Sequence, residues 1–209
     1  MQKAAGLPTA YSVLEYLQSS GTQVIDTGKH GKFNSRFIAD CLFMPGFQLA
    51  YVSVFGCANP TIMPFAISGS DYPGSQNSYS AFGNVADKMP NKNILPYFRM
   101  ILTFDKNSGV VVYAYSDIDS LKSTVTLNAT SFTENPNSHI CLFARGNNGA
   151  YERFAKCRIY EYWHYEEDIL VQHMIPVKRN SDSKLGMYDT VSRTFYTNVG
   201  TGEFIVPEN

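Results

Sequence analysis

A surplus of basic charge is the first thing this sequence lacks. Its 17 Lys and Arg are matched by 18 Asp and Glu, for a net charge of −1. Neutralising phosphates takes a basic stripe, so nucleic acid is not expected as a partner. Long apolar runs are missing too: the longest extend a handful of residues between polar ones, against the roughly 20 that a membrane-crossing helix requires. With no polybasic amphipathic segment either, membrane insertion is not expected. The opening residues, Met1-Gln2-Lys3-Ala4-Ala5-Gly6, lack the apolar centre of a signal peptide, about 7–15 residues long. The chain reads as made and assembled in the cytoplasm, or as cut from a larger polypeptide.

Cysteine is sparse and never closely spaced. Cys41, Cys57, Cys141 and Cys157 stand far apart, whereas a structural zinc knuckle uses close pairs. Apolar neighbours flank them, as in His139-Ile140-Cys141-Leu142-Phe143, so they read as buried, reduced thiols packing as small hydrophobes. His30, His139, His164 and His173 show no His-x-His or His-Glu-x-x-His spacing and read as surface or strand residues. No Gly-x-Ser-x-Gly elbow and no phosphate loop occur, which removes the usual signs of a serine nucleophile or a nucleotide site. No cofactor and no motif-based metal site are expected.

What the chain does have is apolar and aromatic side chains. Hydrophobic residues make up 44% and aromatic ones 14%, with 14 Tyr and 14 Phe. That suffices for a core, and it favours sheet over helix because aromatic and β-branched groups fit a pleated surface. At 209 residues the chain suits one domain, 1–209, with 1–10 as a flexible N-terminal segment.

Short apolar runs alternate with turn residues from end to end. Strands are predicted over 36–43, 48–55, 62–68, 79–82, 97–104, 110–115, 123–127, 140–145, 154–165, 169–175, 195–197 and 203–206. The segment Asp105-Lys106-Asn107-Ser108-Gly109 joins two β-rich runs as a hairpin. Asn147-Asn148-Gly149 supplies another hairpin turn. Pro64 argues for an edge or a bulge. Only Tyr11 to Gln18 and Ser116 to Leu121 are candidates for helical turns, and 69–94 reads as a long loop region crossed by one short strand. The pattern is that of an all-β, two-sheet antiparallel sandwich.

Two terminal motifs carry a family resemblance. One is Leu14-Glu15-Tyr16-Leu17-Gln18-Ser19-Ser20-Gly21-Thr22-Gln23-Val24-Ile25-Asp26-Thr27-Gly28. The other is Ile175-Pro176-Val177-Lys178-Arg179-Asn180-Ser181-Asp182, followed by Gly186-Met187-Tyr188-Asp189-Thr190-Val191-Ser192 and Phe195-Tyr196-Thr197-Asn198-Val199-Gly200-Thr201-Gly202. Together they resemble concanavalin A-like lectin/glucanase (laminin-G-like) jelly-roll domains of the bacteriophage and prophage tail-associated type. The resemblance implies two face-to-face antiparallel sheets with the terminal motifs side by side. It also implies a place in a virion or surface appendage, glycan recognition, and association with tail proteins or further copies of the chain. Where the family commonly has glycine, this chain has Ser183 and Arg193, so two turns must accept a side chain. Calcium binding through loop oxygens also occurs among such domains. Asp71, Asp87, Asp105 and Asp117 are possible donors, though no spacing singles them out.

The glucanase side of the resemblance is testable in the sequence. A retaining mechanism needs two carboxylates about 5–5.5 Å apart. The one acid-rich strand, Glu161-Tyr162-Trp163-His164-Tyr165-Glu166-Glu167-Asp168, puts Glu161 and Glu166 at an odd separation and so on opposite faces, unless a bulge intervenes. Glu166-Glu167-Asp168 reads instead as a polar turn, and no catalysis is expected. Sugar binding uses exposed aromatics with Asp, Asn and Arg around them. The candidates are Asp71, Tyr72 and Asn77 in the long loop region, Asn147, Asn148 and Tyr151 at the second turn, and Trp163. The single tryptophan lies mid-strand, so it reads as a core residue first and a ligand platform second. The function expected is a non-catalytic module binding a bacterial glycan or receptor. A structural assembly domain of a virion or appendage is the alternative, and a cryptic glycoside hydrolase comes third.

Overall fold

The computed structural model describes residues 7–32, 35–44, 52–58, 65–70, 77–82, 85–88, 99–105, 110–115, 122–126 and 136–207; within 65–88 and 100–126 only the backbone is described. Among these residues there are strands and no helix. In chain order they are β1 (Tyr11–Val13), β2 (Leu17–Gln18), β3 (Ile25–Asp26), β4 (Ser35–Phe43), β5 (Val52–Ala58), β6 (Phe65–Ser70), β7 (Asn77–Phe82), β8 (Val85–Lys88) and β9 (Arg99–Asp105). There follow β10 (Val110–Tyr115), β11 (Lys122–Thr126), β12 (Cys141–Leu142), β13 (Arg145–Asn147), β14 (Ala150–Glu152), β15 (Cys157–Glu166), β16 (Ile169–Arg179), β17 (Leu185–Asp189) and β18 (Thr194–Thr197).

The strands form two sheets. The larger runs β11-β10-β9-β4-β15-β16-β17-β18, with β1 on β16 and β2 on β15. The smaller runs β14-β13-β5-β6-β7-β8, with β12 between β3 and β5. Alternation sets which side chains meet between them. Phe37, Ala39, Cys41 and Phe43 of β4, Ile159 and Tyr162 of β15 and Met174 of β16 pack against Val54, Phe55, Ile140 and Leu142. Each large apolar side chain buried this way contributes about 1.5–3 kcal/mol. All four cysteines are buried and unbonded to one another. The core is thus the two-sheet sandwich that the composition favours.

Several boundaries differ from the sequence reading, each for a local reason. Tyr11 to Gln18 forms β1 and β2 rather than helix, because β16 and β15 offer strand partners: Tyr11 pairs with Arg179 and Leu17 with Ile159. The stretch 69–94 holds β7 and β8, a hairpin registered Phe82 to Val85, where one strand was expected. The predicted strand over 140–145 breaks into β12 and β13 at Phe143, whose φ is +67°. That kink turns a chain antiparallel to β5 into one parallel to it. Expected strand 203–206 reduces to one bridge, Gln18 to Ile205. Pro64 and Ser116 to Leu121 lie outside the described residues.

The terminal motifs lie side by side. Val199 N–H donates to the Val24 carbonyl at 3.0 Å, and Thr201 N–H to that of Thr22 at 3.0 Å. Asn198 Oδ1 accepts from Val24 N–H at 2.9 Å, and buried Gln23 donates to the Glu203 carbonyl at 3.0 Å. A Cβ at Gly200 would collide with the Thr22 carbonyl oxygen, so only glycine lets the two motifs approach this closely. Ser183 and Arg193 occupy left-handed turns at φ of +59° and +60°, the conformation glycine accepts freely. Leu7 and Tyr11 pack against Ile175, Val177 and Tyr188 on the outer side of the large sheet.

Candidate functional site

The site builds outward from β3. Ile25 points into the core, so alternation turns Asp26 toward solvent. Gly28, at φ +67°, closes a tight turn in which its N–H donates to Asp26 Oδ1 at 2.9 Å. Strand β12 pairs with β3, Cys141 opposite Asp26, which carries His139, two residues before Cys141, to the carboxylate. His139 Nδ1 lies 2.8 Å from Asp26 Oδ1 and 3.1 Å from Oδ2.

A hairpin turn supplies the next group. Asn148 and Gly149 have φ of +48° and +79°, the sign that a two-residue type I′ connection demands. It reverses β13 into β14 and sets Tyr151 opposite Gly146. The Tyr151 hydroxyl donates to Asp26 Oδ2 at 3.0 Å. Burial, then the Asp26 carboxylate, push its phenol up to about 12, so it stays a neutral donor. Ser138 ties the turn down: its Oγ donates to the Ala58 carbonyl at 2.6 Å and accepts from Asn148 N–H at 2.8 Å. Asn147 Nδ2 donates to Glu152 Oε1 at 3.2 Å, which also accepts from Arg145 Nε at 2.7 Å. Asn147 Oδ1 is buried with no partner. The result is a half-exposed set of polar and aromatic groups held in place by one another, with Asn148 exposed at its rim.

The sequence-derived candidates thus divide. Asn147, Asn148 and Tyr151 belong to this cluster. Asp71 and Tyr72 lie outside the described residues, and of Asn77 only the backbone is described, at the start of β7. Trp163 is not a core residue. It faces solvent from the large sheet, stacked on His173 with ring centres 5.3 Å apart and planes 7° apart. The cause is a bulge at Tyr160, where β15 slips against β4 and Tyr160 and Glu161 no longer alternate as in a regular strand. Glu161 then meets His173 at 3.2 Å, while Glu166 is ion-paired to Lys32 at 2.7 Å. Glu167 and Asp168, at φ of +49° and +63°, make the expected polar turn. Arg36 covers the Tyr165 ring, and Arg99, bound to Asp40 at 2.7 Å, covers Tyr160. Of the possible calcium donors, Asp87 and Asp105 lie in strands of different sheets, and Asp71 and Asp117 lie outside the described residues. No group of three or more His, Cys, Asp or Glu suited to a metal occurs among the described residues.

The sequence places Asp26 within the N-terminal motif and reads His30 and His139 as surface or strand residues, assigning none of the three to a site. Some 113 positions separate Asp26 from His139, and only the β3–β12 pairing brings them together. The one available signal was strand alternation in Val24-Ile25-Asp26-Thr27, which turns an acid outward.

No protein-family model and no curated protein matches the chain. Its fold matches 21 chains of known structure. One is a candidate carbohydrate binding protein from Bacteroides ovatus ATCC 8483, at a TM-score of 0.58 and 14% identity, aligned over 95% of this chain and 61% of that one. Another is the full extracellular region of zebrafish Gpr126/Adgrg6, at a TM-score of 0.52 and 11% identity, over 95% of this chain and 26% of that one. The chain therefore spans less than two thirds of either structure. At these identities the likeness is one of fold, a β-sandwich.

Proposed function

We propose that this domain is a non-catalytic glycan-binding module of a phage tail, fibre or related surface appendage, with its site at Asp26, Tyr151, Asn147 and Asn148. The observation that carries this is the cross-bonded cluster itself. Hydrogen bonds from Gly28, His139 and Tyr151 fix the Asp26 carboxylate, so little ordering entropy remains to be lost when a hydroxylated ligand docks. Sugar hydroxyls meet both donors and acceptors there, beside the half-exposed ring of Tyr151. Fold likeness to a candidate carbohydrate binding protein lends support, as does the resemblance of the terminal motifs to tail-associated lectin-like domains. Glu161 and Glu166, engaged by His173 and Lys32 respectively, act as separate structural acids.

The test is an array of bacterial surface glycans, run with and without calcium, on the wild type and Tyr151→Ala. Saturable binding that weakens at least tenfold in the variant, about 1.4 kcal/mol, is expected. Binding undiminished by Tyr151→Ala moves the site elsewhere. No binding to any glycan in either condition overturns the lectin reading in favour of an assembly domain, whose signature is self-association in analytical ultracentrifugation.

A further inference from the structure

Beside the Asp26 cluster, the rings of His30 and His139 lie 4.8 Å apart between centres, their planes tilted by 54°. Each is committed at Nδ1. For His30 the partner is the Ser138 carbonyl oxygen at 3.2 Å. A carbonyl only accepts, so Nδ1 carries the proton. For His139 the partner is the Asp26 carboxylate at 2.8 Å, which likewise only accepts. Both neutral rings are therefore held as Nδ1–H tautomers, with the Nε2 lone pairs left over. Neither Nε2 has a partner among the described residues.

We propose that His30 and His139 jointly bind one divalent metal ion of the zinc class through Nε2, oriented by the Ser138 carbonyl and the Asp26 carboxylate. Three features converge on this. Metal-binding histidines characteristically donate the other ring N–H to a carboxylate or a backbone carbonyl, which fixes ring angle and raises basicity; this pair uses one of each. Two imidazoles on one tetrahedral zinc, at Zn–N distances of about 2.0–2.1 Å, place their ring centres about 5 Å apart, close to the separation observed. Both rings are accessible, His139 with 39% of its side chain exposed, so an ion reaches them without opening the core. Imidazole nitrogen selects zinc, copper or nickel, whereas calcium and magnesium prefer oxygen. With two side-chain ligands, the remaining positions fall to water or to oxygen atoms of a bound molecule.

This inference stands apart from the glycan reading, because metal binding is measured with no sugar present. Untagged full-length protein is titrated with zinc chloride by calorimetry, and the histidine side-chain ¹⁵N resonances are followed in parallel. One saturable site is expected, with Nε2 of His30 and His139 shifting together. His30→Gln and His139→Gln should each weaken binding more than tenfold. Asp26→Asn keeps both rings but removes the orienting charge, and should weaken it about ten- to a hundredfold. Absence of saturable binding up to millimolar zinc overturns the proposal. So does wild-type affinity in either glutamine variant, or a shift confined to other histidines. The resonances of the unmodified protein decide the matter if a variant fails to fold.

Discussion

His164 makes the fold acid-sensitive by an amount that follows from its surroundings. It is fully buried on the inner side of β15, its ring 4.5 Å from that of Phe37. Nε2 lies 3.1 Å from Ser35 Oγ, and Nδ1 has no partner. Burial, reinforced by the charges of Lys29 and Lys32, lowers its pKa from 6.5 to about 3. Glu166 stands 3.9 Å from Nε2 but is taken up by Lys32 at 2.7 Å. Between those two pKa values the unfolded chain holds a proton that the folded chain does not. Stability is therefore greatest above pH 6.5 and is lost as pH falls toward 3. Linkage gives a loss of about 2 kcal/mol at pH 5 and about 3 kcal/mol at pH 4 from this one ring. The assay is urea unfolding at pH 7 and pH 5, on wild type and His164→Gln. Other groups titrate in both proteins, and the variant's own packing defect is common to both pH values, so neither enters the difference. The wild type should lose about 2 kcal/mol more than the variant between the two pH values. Equal losses would refute the assignment of His164 as a buried neutral base.

The remaining predictions concern backbone conformation. Ser183 and Arg193 sit at left-handed φ, which costs a side-chain-bearing residue about 1–2 kcal/mol, partly offset in glycine by a freer unfolded chain. Ser183→Gly and Arg193→Gly should each raise stability by about 0.5–1 kcal/mol, seen as a higher urea midpoint at unchanged slope; a lower midpoint would show that the side chains stabilise their turns. Gly200→Ala should cost at least about 2 kcal/mol, because its Cβ meets the Thr22 carbonyl where Thr201 N–H also binds. A wild-type midpoint there would mean that the two terminal motifs separate without loss.

Alternation made much of the fold legible. Phe37, Ala39, Cys41 and Phe43 recur at every second position and share one buried face, so β4 was readable without a structure. The β9–β10 hairpin was equally plain, with its turn chemistry printed between two β-rich runs. Less legible were places where a distant partner overrides local preference. Tyr11 to Gln18 carries no strong strand signal, and it is extended because β15 and β16 present open edges to it. Trp163 reads as a core residue from its place mid-strand between Tyr162 and His164, but position within a strand does not say which face a side chain takes. One extra residue at Tyr160 shifts the frame and turns the indole outward. A bulge has no reliable signature in a single sequence, since its cause is the register of the neighbouring strand.

The fold-closing N-terminal motif and the candidate site share residues. In the N-terminal motif, Gln23, Val24 and Thr27 serve the sandwich: Gln23 and Val24 bond the C-terminal segment, and Thr27 Oγ1 donates to the Ile140 carbonyl at 2.6 Å. Asp26, between them, faces the other way and takes no part in that closure. Its partners come from further along the chain, His139 from just ahead of β12 and Tyr151 from β14. Closure therefore fixes the position of one carboxylate, which the rest of the chain flanks with His139 and Tyr151. The glycan-binding proposal accordingly predicts that substituting Asn148 changes which glycans an array retains while the Asp26 anchor and the sandwich stay intact.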